Sequence, residues 1–338
     1  MNLSPITAIA AALRAGVVAA VTDDLAAAAA GTPELTAPSA PAPASPAPLS
    51  PGTPAIDMAR AAAAGRQGGL APLLADLAQA LATPAVPAAV KAAIGQVLAL
   101  QTPTDEPITA QTIAQAVSQS GLFLEARLAG LEGEPPPDLK AALLKLQAAL
   151  AAGGTQGRAP AARTPPPAPP ARNGGLSAQP AAPSGLPTDA DAATITEVLA
   201  RGADQALARQ TLHQLASLPD GPATAWMFEA PFATPQGATV AQFAIERDGR
   251  GAERANREAV WRVRLSIDIE PLGPIHVHLT AGGERSAVTV WAERPDSLRR
   301  LRREAADLAA ALSADVRFQA GAPRQPAPSA GSFVDESS

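Results

Sequence analysis

The strongest alternation in the chain is "VWRVRLSIDIE". Trp261, Val263, Leu265, Ile267 and Ile269 take every second position, with Arg262, Arg264, Ser266 and Asp268 between them. A period of two puts each set on its own side of a strand, so this stretch predicts a half-buried antiparallel strand with one wet face. The "PLGP" that follows predicts a turn. Ile275, Val277 and Leu279 then alternate with His276 and His278 on the return strand, and "SAVTVWAE" predicts a third strand in the same meander. Two further strands are predicted upstream, in "TAWMFEAPF" and "TVAQFAIERDG". After the meander the period becomes helical from about Asp296 to Ser313, with Leu298, Leu301, Ala305, Leu308 and Leu312 on one face. "DVRFQ" predicts a last short strand.

Helical spacing dominates the earlier chain. Ile195, Val198, Leu199, Leu212 and Leu215 mark a helix over Thr194–Leu218, and Leu70, Leu73, Leu74, Leu77 and Leu81 mark another. Lys91 to Leu100 and Ile108 to about Leu128 continue in kind. Leu139, Leu143, Leu146 and Leu150 form a stripe that Asp138 is placed to cap. A small hairpin or bundle built from the helices between Leu70 and Leu150 has a core of leucine and alanine, and its expected stability is low. Two proline-rich runs, Thr32–Pro54 and Gly153–Pro187, predict semi-stiff solvated spacers, because proline has no backbone N–H to give a helix or ladder.

The expected organisation is therefore an N-terminal segment 1–31, a linker 32–69, a helical region 70–152, a second linker 153–187, a C-terminal domain 188–321 and a disordered tail 322–338. The fold class is α+β: a largely disordered Ala/Pro-rich chain with helical segments, ending in a small antiparallel sheet packed by a helix.

Composition sharpens this picture. With 36 prolines, 26 glycines and 3% aromatic residues, much of the 47% apolar fraction is alanine, which argues against one core spanning all 338 residues. A net charge of −5 argues against a general nucleic-acid binder. The absence of cysteine excludes a disulfide framework and a cysteine-based zinc site. The N-terminal apolar stretch has no preceding basic residue and is split by Arg14, unlike a secretory signal, and it is too short to span a bilayer.

Candidate chemistry is sparse. His276 and His278 share one strand face, but a zinc site needs three or four protein ligands, His213 sits in another predicted element, and Arg262 and Arg264 lie nearby. A solvated strand face is the expectation, with no metal. The chain contains no nucleophile elbow, phosphate-binding loop or dinucleotide fingerprint, so no catalytic residues, cofactor or enzymatic role are expected. Arg299, Arg300, Arg302 and Arg303 make one side of the last helix basic. Each alone reads as a solvated residue, but the cluster suits an acidic partner.

The order of parts resembles the bacterial flagellar hook-length control protein family. The segment "LGPIHVHL", Leu272 to Leu279, is similar to the family's "L-G-x-V-x-V-x-L" strand. "VTVWAERPDSLRRLRREAADLAAALSADVRF" is similar to its strand, leucine-repeating helix and final strand. "SGLFLEARLAG", "DLKAALLKL" and the "W-x-F-E-x-P-F" of Trp226 to Phe232 also resemble blocks found in members. The resemblance spans roughly Gly121 to Leu150 and Ala206 to Gly321. One departure is that Pro271 directly precedes Leu272, where many members carry a proline three residues before the Leu-Gly pair.

The resemblance implies a non-enzymatic monomer exported through the flagellar type III apparatus by an uncleaved N-terminal signal. It implies contact with hook and hook-cap subunits, and with the cytoplasmic domain of the export-gate switch protein, which then changes export from hook to filament subunits. No nucleic acid and no membrane insertion enter this scheme. About 190 residues ahead of the C-terminal domain would reach some 650 Å extended, at ~3.4 Å each, or about 290 Å as helix. Within the C-terminal domain, Leu272, Gly273, Pro274, Ile275 and Val277 are the expected switch turn and strand, with Arg299, Arg300 and Arg303 at the partner surface. Trp261, Val263, Leu265, Ile267, Leu279, Leu301 and Leu308 are its expected core. An Ala/Pro-rich structural or envelope-coupling protein, with a small α+β binding domain and no switching role, is the competing reading.

Overall fold

The computed structural model describes residues 53–105, 108–130, 137–152, 165–172, 174–218, 224–247, 260–282, 285–312 and 314–324. The expected export segment 1–31, the linker up to residue 52 and the tail from 325 onward lie outside the described residues.

Among the described residues seven helices precede the main strands: α1 (Thr53–Ala64), α2 (Leu70–Ala82), α3 (Ala88–Leu98), α4 (Ala110–Ser118), α5 (Leu124–Gly130), α6 (Leu139–Ala152) and α7 (Ala192–Ala216). A two-residue strand β1 (Thr102–Pro103) lies between α3 and α4. The sheet continues with β2 (Thr224–Thr234), β3 (Gly237–Arg247), β4 (Trp261–Ile269), β5 (Gly273–Gly282) and β6 (Arg285–Ala292). Helices α8 (Pro295–Arg303) and α9 (Ala305–Leu312) and strand β7 (Ala314–Ala320) complete the described chain.

The sheet order is β1 to β7 in sequence. Strands β4 to β6 form the expected antiparallel meander, β2 and β3 extend it in the same antiparallel sense, and β1 and β7 add parallel edges to it. A crossover is required for a parallel neighbour, and α8 with α9 supplies it between β6 and β7.

The apolar positions of the alternation are buried, but the wet face expected opposite them is not fully solvated: Ser266 is 1% and His276 9% exposed, while Arg262 is exposed and Arg264, Asp268 and His278 are half-buried. Trp261, Val263, Leu265, Ile267, Ile275, Val277 and Leu279 are buried in one apolar cluster with Leu298, Leu301 and Leu308. The same cluster takes Trp226, Phe228 and Phe232 from β2 and Ile113 and Val117 from α4. Phe228 and Phe243 stack with centroids 4.9 Å apart, which adds directional aromatic packing across β2 and β3.

The helix expected as one piece over Asp296–Ser313 is two. At Glu304 the backbone N–H turns to the Leu301 carbonyl three residues back, at 3.1 Å, which closes α8 in a tighter turn; α9 starts afresh with Leu308 N–H on Glu304 O at 3.0 Å. Leu301 of α8 and Leu308 of α9 are both buried against the sheet.

The opposite sheet face is covered at its β2–β3 end by a second cluster. Leu70, Leu73, Leu74 and Leu77 of α2, Leu143 and Leu146 of α6, and Leu199 of α7 pack there together with Val240 of β3. Asp138 caps α6 as expected, its Oδ1 accepting from Ala141 N at 3.1 Å. The helical region is thus a layer seated on the sheet, not a separate small bundle.

The second proline-rich run also departs from expectation. Its described part, 165–172 and 174–187, is no free spacer: Gln179 exchanges both backbone hydrogen bonds with Val240, at 2.9 and 3.0 Å, and Gln179 and Leu186 are buried. Proline's missing donors suit a strap whose few polar groups are met by side chains on either side.

Candidate functional site

The Leu-Gly turn is built between β4 and β5. Leu272 N–H donates to Ile269 O at 2.8 Å, and the Glu270–Pro271 bond between them is cis, as in a type VI turn. Pro271 therefore stands at the third turn position, adjacent to Leu272. Gly273 follows at φ +70, a left-handed conformation in which side chains are strained, and a Cβ there would run into the Arg294 guanidinium.

Three residues at the β6–α8 junction brace this turn. Arg294 pairs with Glu270 in a two-pronged contact, Nη1 to Oε2 and Nη2 to Oε1, both 2.7 Å. The hydrogen-bonded Arg294 guanidinium holds the Glu270 carboxyl below its ordinary range. Ser297 Oγ donates to Leu272 O at 2.7 Å, and Glu293 N–H to Pro274 O at 3.2 Å. The turn and the first residues of α8 are consequently one mechanical unit.

Of the expected switch residues, Leu272, Ile275 and Val277 are buried, at 3%, 0% and 1% exposure. They shape the module from inside and present no side chain to a partner. Pro274 is half-buried. Arg299, Arg300 and Arg303 are exposed on α8, together with Arg302. Arg299 pairs with Asp296 and Arg300 lies 3.8 Å from Glu304, so the acid on this face is local to the helix. Asp296, Arg299, Arg302 and Arg303 line a shallow surface groove.

His276 and His278 point to the face opposite the α8 core. His276 Nδ1 is 3.0 Å from Ser266 Oγ and its Nε2 is 3.0 Å from Glu293 Oε1. The Ser–His–Glu sequence of contacts has the shape of a relay, but Ser266 is 1% exposed and lies mid-strand, where no substrate carbonyl reaches its oxygen. His278 packs against Trp291 with centroids 4.5 Å apart. Burial, then the charge of Arg264 and then His276, lower its pKa to about 4, so it is neutral at pH 7. Among the described residues no group of three or more His, Asp or Glu side chains is placed to hold a metal ion. The pair of histidines closes the wet face of β5 by hydrogen bonding and ring packing.

One polar cluster escaped the sequence reading. Glu229 of β2 and Arg209 of α7 are 3% and 2% exposed and form an ion pair. Arg209 Nε donates to Glu229 Oε1 at 2.7 Å; Nη2 is equally close but poorly aligned, which leaves it a charge contact without a hydrogen bond. Gln179 Nε2 of the strap also donates to Glu229 Oε1, at 2.9 Å, and Arg209 Nη1 donates to Gln67 Oε1 at 2.6 Å. Burial pushes the Glu229 carboxyl up, yet Arg209 and then His213 outweigh it and hold the group at about 2. The cluster therefore ties strap, helical layer and sheet at a single carboxylate. Its signal was the lone glutamate inside the aromatic "W-x-F-E-x-P-F" strand, placed by alternation on the face away from Trp226 and Phe228.

No described helix is long and apolar enough to cross a membrane. No curated protein and no solved structure matches the chain. Residues 249–321 match a family model, that of the flagellar hook-length control protein FliK.

Proposed function

We propose, from a C-terminal region that carries the flagellar hook-length control domain, that this protein gauges the growing hook and switches flagellar export from hook to filament subunits. The observation that carries the reading is a coincidence of boundaries. The match ends at Gly321, one residue past β7, so the described part of the matched segment runs from β4 through the braced Leu-Gly turn to the final parallel strand. In this reading the protein is a cytoplasmic substrate of the flagellar type III apparatus that leaves through its channel. Its C-terminal module meets the cytoplasmic domain of the export-gate switch protein, and the preceding chain contacts hook and hook-cap subunits.

The buried Leu272, Ile275 and Val277 hold the turn in shape, and the exposed α8 arginines supply the contact. Export through a narrow channel needs a chain that unfolds readily. A helical layer packed mainly by leucine and alanine, with no disulfide to break, fits that demand. Electron microscopy of cells lacking the gene is the test. Overlong hooks without filaments are the expected result; hooks of normal length bearing filaments would overturn the proposal.

A further inference from the structure

Strand β7 is the terminal strand of the sheet, and its outer side has no neighbouring strand among the described residues. In a parallel strand, both backbone polar groups of a residue point to the same side, and the side alternates along the chain. Gly321 N–H reaches inward to Ala292 O of β6, at 2.9 Å. The same parity turns the N–H and C=O of Asp315, Arg317 and Gln319 toward β6, and those of Val316, Phe318 and Ala320 outward. The side chain of Arg302 confirms the direction: its Nη2 donates to the Phe318 carbonyl, at 3.4 Å. An arginine from α8 thus lies over the middle of an otherwise open edge. Lone charged residues at such edges keep strands from pairing indiscriminately.

The opposite edge is handled differently. There β1 is only two residues long, too short to template another strand. Strand β7 has seven residues, no proline and no glycine. Val316 and Phe318 pack on the core from the same side as α8, so a strand added beyond β7 would bring alternate side chains beside Arg299, Arg302 and Arg303. With three arginines and only Asp296 in that groove, the side chains it favours are acidic.

We propose that the edge of β7 is a docking site for an extended acidic segment of the partner, which adds as an eighth strand while Arg302 moves from the Phe318 carbonyl to a partner carboxylate. Main-chain hydrogen bonds supply affinity in this mode, and flanking charge selects the sequence. The inference rests on the reading above that this module meets the export-gate switch protein, and it names the surface and the chemistry of that meeting.

The test uses the full chain and the purified cytoplasmic domain of the export-gate switch protein, with calorimetry for affinity and amide exchange for the site. Val316→Pro removes an outward N–H and leaves the ladder to β6 intact; Arg302→Glu reverses the charge at the surface. The expected result is protection of the Val316 and Phe318 amides on binding. Each variant should bind about tenfold or more weakly, with an unchanged melting temperature for Arg302→Glu. Binding with unprotected amides, or unchanged affinity in Arg302→Glu, overturns the edge site and leaves the switching reading standing. Wild-type chain that fails to bind the domain overturns both. Wild-type chain that dimerises and is made monomeric by Val316→Pro assigns the edge to a second copy instead, and overturns the proposal.

Discussion

Replacing Glu229 by glutamine removes one charge and almost no volume, so its cost is that of the charge. Arg209 is then left 2% exposed without its counter-ion. Breaking one side of a buried pair costs about 3–5 kcal/mol. The low end applies, because Arg209 Nη1 keeps Gln67 Oε1 at 2.6 Å and Ala168 O at 3.1 Å, and the Gln179 hydrogen bond survives on the new amide oxygen. A loss of about 3 kcal/mol corresponds to roughly 6–12 °C in Tm for a body of this size. The double variant Arg209→Met/Glu229→Leu removes both charges and should recover most of the loss, to within about 1 kcal/mol of wild type. The assay is thermal and urea unfolding read by two probes. All three tryptophans lie in the sheet, at Trp226, Trp261 and Trp291, so fluorescence follows the sheet while far-ultraviolet circular dichroism follows the helices. Because Glu229 ties α7 and the strap to β2, the helix signal should be lost first in Glu229→Gln. A shift below about 1 °C, or a double variant as unstable as the single, would refute the assignment of this pair as the joint between layers.

Acid titration gives the same joint a second readout. The Glu229 pKa drops from 4.5 to about 2 on folding, so its contribution is complete above pH 4.5 and is lost as pH falls toward 2; an acid limb in that window should be present in wild type and missing in Glu229→Gln. His278 should stay neutral by NMR down to about pH 4. Its folded pKa lies below the ordinary 6.5, so that group favours the folded state above pH 6.5 and less so as pH falls toward 4. Val277→Asp places a charge at a site 1% exposed, between Leu265 and Val290 in register, and should cost more than about 4 kcal/mol; a protein with the wild-type melting profile would refute the core placement. Gly273→Ala strains a left-handed residue and displaces Arg294, for a loss of roughly 1–2 kcal/mol in Tm-derived stability. Triple reversal of Arg299, Arg300 and Arg303 to glutamate should leave the melting curve within about 0.5 kcal/mol yet abolish filament growth, and filaments of normal number would count against the α8 surface.

The strands were legible because burial of one face of an antiparallel sheet writes itself as alternation. In β4 and β5 the apolar residues Trp261 to Ile269 and Ile275 to Leu279 share one face, and Arg264 and the histidines the other, even though Ser266 and His276 on that second face are buried too. Two things were not written that way. The helical period marked α8–α9 and the chain beyond it read as a strand, but nothing in either pattern says that β7 joins β6 in parallel, and the two-residue contact at Thr102–Pro103 leaves no periodic signal. The packing of strap and helices on the sheet depends on Gln179, Arg209 and Glu229, scattered residues whose partners are 20 to 50 positions away and whose polarity suggests solvent. Composition misled for the same reason. A proline-rich run reads as a spacer, yet proline with one buried glutamine makes an adequate strap when a strand edge and a helix supply what proline lacks.

In the proposed reading, that packing changes how hook measurement and export switching can share one chain. The expected arrangement was linkers and a helical region ahead of a compact C-terminal domain. Instead the described chain from residue 53 onward contributes helices seated on the sheet that bears the Leu-Gly turn, with α7 touching β2 through a buried carboxylate. Under that proposal, threading the helical part into a channel must pull α2, α6 and α7 off the β2–β3 face and break the Arg209–Glu229 pair. The α8 side of the sheet, with the braced turn and the β7 edge, belongs to the other apolar cluster and need not open in the same step. Separate clusters on the two faces of one sheet thus give a physical route for tension on the leading chain to strip one layer while the docking layer stays folded. Simultaneous loss of both clusters when the chain is pulled from its N-terminal end would exclude that route.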